Sequence, residues 1–199
     1  MGAPVYSMAT DGASVYWLDT QLRIYAAPLT GGSPVRLAAS PYVDRLARLS
    51  YVDGMLYWSA GADGIMSLPT GGGIPSLVAT SPVTPLEVIV DEPGIYYSAP
   101  PVVTMTSRTT GNELWDASIG EGSAYAALAP DATSLFVLTR SGITQVNKAT
   151  GYALKLSLSG PAGDYPPGVT TDAGVVYWSD PSSREILSVR AFGPEAFEP

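Results

Sequence analysis

The chain contains neither cysteine nor histidine. The first absence removes disulfides and thiol nucleophiles. The second removes imidazole bases and, together with the first, the usual ligands of zinc and iron. Positive charge is scarce as well: ten Lys and Arg residues face eighteen acids, for a net charge of −8 at pH 7, and the ten are scattered along the chain. Nucleic-acid binding needs a basic stripe to neutralise phosphates, so nucleic acid is excluded as a partner, and the same acidity disfavours an anionic membrane surface. Also missing is any apolar run near the roughly 20 residues that cross a bilayer as a helix, so no membrane span is expected. Residues Met1 to Pro4 lead into the first strand with no signal-peptide pattern.

Long-helix composition is absent too. With 21 Gly and 18 Pro against 14% charged residues, the chain is rich in turns and poor in the Ala, Glu, Lys and Leu content that builds long helices. At 199 residues and 46% hydrophobic it can bury a substantial core.

What is present is repetition. An aromatic couplet closing a β-rich run recurs at Tyr16-Trp17, Tyr57-Trp58, Tyr96-Tyr97, Phe136-Val137 and Tyr177-Trp178, at spacings of 41, 39, 40 and 41 residues. A period of about 40 residues is the signature of a β-propeller, whose four-stranded blades cannot bury their faces alone. The spacing predicts an all-β fold, a five-bladed β-propeller of four-stranded antiparallel blades. One domain spans 1–199, with repeats at 3–40, 41–80, 81–120, 121–160 and 161–199.

Each repeat reads as strand A, a tight turn, strand B, a variable loop, strand C, a second tight turn and strand D. In the first repeat these are Val5 to Thr10, Val15 to Asp19, Leu22 to Pro28 and Pro34 to Ala38. The runs are short, β-branched or aromatic, and bounded by Gly, Asp and Pro. The A–B turn recurs at Asp11-Gly12, Asp53-Gly54, Asp91 to Gly94, Asp131 to Ser134 and Asp172 to Gly174. There a short Asp can cap its own turn and Gly accepts positive φ. Strand B carries adjacent large apolar residues, as expected of a sheet covered on both faces, which makes its aromatics core.

Tyr16-Trp17-Leu18-Asp19 and Tyr177-Trp178-Ser179-Asp180 resemble the Tyr-Trp-Thr-Asp repeats of propellers found in lipoprotein-receptor ectodomains and many bacterial extracellular proteins. The pattern fades to Tyr57-Trp58-Ser59-Ala60, Tyr96-Tyr97-Ser98-Ala99 and Phe136 to Thr139. That family typically has six blades, and this chain shows five repeats. The resemblance implies a propeller fold and an exported, extracellular bacterial setting, which a cysteine-free chain suits; a cytoplasmic setting is the alternative.

Closure of the ring bears on the oligomer. Residues Gly193 to Pro199 carry two prolines and two acids where the fifth strand D belongs, which leaves at best a short edge strand. A closed ring predicts a monomer and is preferred, because an open array leaves apolar faces on its end blades. An open array predicts an oligomer.

The A–B and C–D turns lie on one rim and the B–C and D–A loops on the other. Binding sits on variable loops over a rigid frame, so the second rim is the expected ligand face. Its candidate contacts are Tyr42, Asp44 and Arg45 in one D–A loop, Asp164 and Tyr165 in another, and Arg184 in the fifth B–C loop. Two tyrosines beside carboxylates suit a protein or carbohydrate partner. No catalytic residue is assigned: without His, Lys148 and Lys155 are the only side-chain amines, and an activated serine is hard to assemble. The rival reading is a carboxylate-dependent glycosidase or lyase using Asp44, Glu87, Glu121 and Asp164 at the axial mouth. A third is a fragment or engineered propeller with no evolved ligand. No Asp-x-Asp-x-Asp-Gly run is present, so neither a metal nor any other cofactor is expected.

Overall fold

The computed structural model describes residues 3–39, 48–81, 84–85, 87–92, 94–120, 126–157 and 168–197. These form five antiparallel meanders, each drawn from one repeat. The first is β1 (Val5–Thr10), β2 (Ser14–Asp19), β3 (Arg23–Pro28) and β4 (Val35–Ala39). The second is β5 (Ser50–Val52), β6 (Met55–Ser59), β7 (Ile65–Pro69) and β8 (Ser76–Ala79), and the third is β9 (Glu87–Val90), β10 (Ile95–Ala99), β11 (Val102–Thr106) and β12 (Glu113–Ser118). The fourth comprises β13 (Ala127–Pro130), β14 (Ser134–Thr139), β15 (Gly142–Asn147) and β16 (Ala153–Lys155).

The fifth sheet corrects the expectation of four strands in every repeat. Among the described residues it holds β17 (Val169–Asp172), β18 (Val175–Asp180) and β19 (Glu185–Arg190), and Pro194–Phe197 form a 3₁₀ turn where a fourth strand was expected. Proline has no N–H to give a ladder, and the Ala196 N–H closes back on Gly193 C=O at 3.1 Å instead.

By its contacts the chain divides into two compact units, Met1–Tyr96 with Thr106–Asn112, and Tyr97–Met105 with Glu113–Pro199. The core of the first unit shows how repeats bury one another. Cross-strand partners Tyr16↔Ala26 and Leu18↔Ile24 share one face of the first sheet, and Leu56↔Leu68 and Trp58↔Met66 share one face of the second. Those faces meet in one cluster with Leu49. The Tyr16 ring stacks on Tyr51 of β5 at 6.0 Å between centroids. The second unit repeats the arrangement: Ala127, Phe136, Leu138 and Ile143 of the fourth sheet pack on Val176 and Trp178 of the fifth. In both cores the first couplet member faces the following sheet and the second faces the preceding one. Each large side chain so enclosed contributes about 1.5–3 kcal/mol.

The residue directly after the couplet is also structural. In the first unit the Ser59 hydroxyl donates to Pro85 C=O at 2.9 Å, and in the second the Ser98 hydroxyl donates to Ala126 C=O at 3.1 Å. Both serines are fully buried. Each ties strand B to the chain entering the next repeat.

Candidate functional site

The A–B turns are of two kinds, and the difference builds a site. Asp11 and Asp131 cap their own turns: Asp11 Oδ1 accepts from the Ala13 and Ser14 N–H groups at 2.8 and 2.6 Å, and Asp131 Oδ1 from Thr133 and Ser134 at 2.8 and 2.7 Å. Asp53 instead lies inside a two-residue turn, at φ 47 with Gly54 at φ 76, the left-handed pair of a tight hairpin. Its carboxylate is therefore aimed outward. Both guanidinium nitrogens of Arg108 reach Asp53 Oδ2 at 3.0 Å, and Nη1 also donates to Asp91 C=O at 3.2 Å. Around this pair lies a polar cleft of about 250 Å3 lined by Tyr57, Glu92, Ser107, Arg108 and Thr109. It opens on the turn rim.

Sequence reasoning passed over Arg108. The residue following strand C donates its N–H to the A–B turn at Leu29, Thr70, Lys148 and Ala191, and Arg108 lies one repeat before Lys148. Cations at this recurring position are the signal. Their role is bracing first: Lys148 Nζ donates to Asp131 C=O, and the charge of Arg108 is met by Asp53.

On the loop rim the Asp of the Tyr-Trp-x-Asp pattern caps the B–C loop. Asp19 is buried and accepts from the N–H groups of Gln21 and Arg23 at 2.8 and 3.1 Å, while the Arg23 guanidinium lies 2.6 Å away. Burial alone would raise the Asp19 carboxyl; Arg23 and the two N–H groups outweigh it and hold it below the ordinary range. Asp180 accepts from the Ser182 hydroxyl at 2.6 Å and its N–H at 2.9 Å, which lowers that carboxyl too. Where repeats two and three carry Ala60 and Ala99 instead, the B–C connection becomes a 3₁₀ turn (Gly61–Asp63) and a cis Pro100-Pro101 link.

Of the contact residues expected from the sequence, Tyr42, Asp44, Arg45, Asp164 and Tyr165 lie outside the described residues. Arg184 is described. It sits exposed in the loop between β18 and β19 at φ 61, its N–H donating to Asp180 C=O at 2.9 Å. Of the four carboxylates of the enzyme reading, Glu121 is also outside the described residues, as are Asp44 and Asp164. Glu87 is buried and paired with Arg48 at 3.2 Å.

One pairing went unseen in the sequence. Lys155 Nζ donates to Ser141 Oγ at 3.0 Å, and Ser141 Oγ lies 2.9 Å from Thr139 Oγ1. Partial burial pushes the Lys155 amine down. The two residues are fourteen apart and meet only across the sheet's edge, so no local spacing announces them. Among the described residues no group of three or more carboxylates could hold a metal, and no helix is long and apolar enough to cross a membrane.

No protein-family model matches the chain, and no curated protein matches its sequence. Solved structures do resemble it. A chain of the nidogen/laminin complex aligns at a TM-score of 0.68 and 18% identity, over 92% of this chain and 74% of that one. The computationally designed Ika8 protein aligns at 0.71 and 13%, over 94% and 58%. BamB from Moraxella catarrhalis aligns at 0.67 and 17%, over 94% and 56%. The chain spans little more than half the length of the last two. At these identities the likeness shows the fold, and that fold is the β-propeller.

Proposed function

We propose that residues 1–199 form one propeller domain of five blades, of the Tyr-Trp-Thr-Asp kind, that acts as a non-catalytic binding module in an extracellular setting. The observation that carries this reading is the likeness to propellers, one of them solved in a complex named for two proteins. A protein partner is the ligand class it favours over a carbohydrate. The contact surface is the B–C and D–A loop rim, with Tyr42, Asp44, Arg45, Asp164, Tyr165 and Arg184 as contacts. Support for that rim comes from Arg184, exposed on a loop that Asp180 braces through Ser182.

The two rims are separated by one experiment. Crosslinking capture from the native secretome is compared for the wild type, an Arg184→Glu, Tyr42→Ala, Tyr165→Ala variant, and a turn-rim Thr109→Ala, Glu92→Ala variant. The proposal expects a protein partner lost with the first variant and kept with the second. Loss with the second alone moves the site to the Arg108 cleft. Glycan turnover that disappears in an Asp44→Asn, Asp164→Asn variant overturns the non-catalytic reading in favour of the carboxylate enzyme.

A further inference from the structure

The last residue of the Tyr-Trp-x-Asp pattern caps the B–C loop, and its charge decides what the hydroxyls and cations around it can do. In the first repeat Asp19 holds the Arg23 guanidinium at 2.6 Å, and in the fifth Asp180 takes the Ser182 hydroxyl at 2.6 Å. A carboxylate at this place keeps a neighbouring cation charged and occupies a neighbouring O–H. The fourth repeat carries Thr139 instead. Thr139 still caps the loop, its Oγ1 accepting the Ser141 N–H at 3.2 Å, but a hydroxyl brings no charge. Ser141 Oγ lies 2.9 Å from Thr139 Oγ1 and 3.0 Å from Lys155 Nζ. Among the described residues Lys155 forms an ion pair with no carboxylate.

Two further features prepare Ser141 for reaction. Partial burial pushes the Lys155 amine down, which enlarges the neutral fraction able to accept a proton. Gly120, at φ 92, lies beside the hydroxyl, where a Cβ would stand 3.0 Å from Ser141 Oγ and 3.9 Å from its Cβ. Glycine leaves that approach to the oxygen open. Ser141 lies in the two-residue turn between β14 and β15, and Lys155 ends β16, so both sit on the loop rim. Lys155 is exposed there and Ser141 is half-buried.

We propose that Ser141 is a nucleophile, with Lys155 as its base, and that it accepts an acyl group from an activated ester. Neutral Lys155 Nζ takes the Ser141 Oγ proton as Oγ bonds to the acyl carbon. The bond from that carbon to the leaving oxygen then breaks, and the leaving oxygen takes the proton from the Lys155 ammonium. The products are acyl-serine and the free alcohol. A nucleophile and a base within hydrogen-bond reach are the geometry this transfer needs. A single transfer leaves Ser141 acylated, so this is a modification site, and it stands independently of the binding reading above.

The probe is p-nitrophenyl acetate, added to the full chain. Nitrophenol release is followed by absorbance, and peptide mapping of chain quenched early in the reaction locates the acetyl group. The expected result is a burst of release with acetyl on Ser141. Ser182 is an internal control, because Asp180 holds its hydroxyl, and it should stay unmodified. Lys155→Met removes the amine, whereas Lys155→Arg keeps a charge and donors but supplies no base. Each should slow acetylation of Ser141 by about 100-fold or more, as loss of a positioned base does, with circular dichroism unchanged. Acetyl groups that land on amines and miss Ser141 overturn the proposal, as does wild type that releases no nitrophenol above the buffer rate. So does Ser182 reacting as fast as Ser141, or a Lys155→Arg chain that matches the wild type.

Discussion

The Gln145 carboxamide grips the Phe192 backbone at both ends. Oε1 accepts from the Phe192 N–H at 2.8 Å, Nε2 donates to Phe192 C=O at 3.1 Å, and the same nitrogen donates to Ser134 Oγ at 2.9 Å. Gln145 is buried in the fourth sheet, and Phe192 follows the last strand of the fifth. This amide fastens the chain just past β19 to the fourth sheet.

Removing that grip has a cost that can be measured. Gln145→Ala should destabilise the chain by about 1–3 kcal/mol, the range for buried polar partners left unpaired, and the Phe192 amide should lose its hydrogen-exchange protection. Gln145→Glu keeps the acceptor but turns a carboxylate toward Phe192 C=O, so it should rescue little.

Ser59 and Ser98 give a second expectation. Each hydroxyl is buried and serves a carbonyl at the entry to the next repeat. Ser59→Ala and Ser98→Ala should each cost about 1–3 kcal/mol in denaturant melts. Ser188, exposed in the fifth sheet, should tolerate the same change within about 0.5 kcal/mol.

Acid sensitivity follows from Asp19. Its carboxyl is held below the ordinary range in the folded chain, so its contribution is fully present above the unfolded value of about 4 and is lost as pH falls through the lowered folded value. The unfolding free energy should therefore decline below about pH 4. Asp19→Asn should be less stable at neutral pH and should show a shallower acid decline, which urea titration at several pH values reads directly.

Arg184 carries a backbone cost. A left-handed residue other than glycine costs about 1–2 kcal/mol, and glycine's extra chain entropy returns about 0.5–1 kcal/mol of that. Arg184→Gly should thus leave the chain as stable or more stable by up to about 1.5 kcal/mol in thermal melts. If the proposed loop rim is the contact surface, the same variant should bind its partner more weakly.

The strands were legible because their signals are local. Val5–Thr10 was expected and is found, and the expected fourth strand of that repeat is displaced by a single residue. The couplet's role as core was readable too, since paired large apolar residues require two covered faces, and it holds at every couplet position but Trp17 and Tyr177, which are half-buried. What escaped depends on partners far along the chain. Asp53 resembles Asp11 in sequence, yet a one-residue difference in turn length sends its carboxylate to Arg108, 55 residues away. Lys155 and Ser141 meet only once the hairpin is folded. The contact residues placed in the D–A loops fall outside the described residues, and Arg184 alone of the expected set has a stated geometry.

Successive repeats stacking as sheets, face against face, is the claim on which the rest depends, and the Tyr16–Tyr51 stack is where it is most exposed to test. A double-mutant cycle with Tyr16→Ala and Tyr51→Ala, read by denaturant unfolding, should return a favourable coupling of about 0.5–1.5 kcal/mol, as stacked aromatic pairs do. Strictly additive losses would mean that the two rings do not touch, and would contradict the packing of the first sheet on the second.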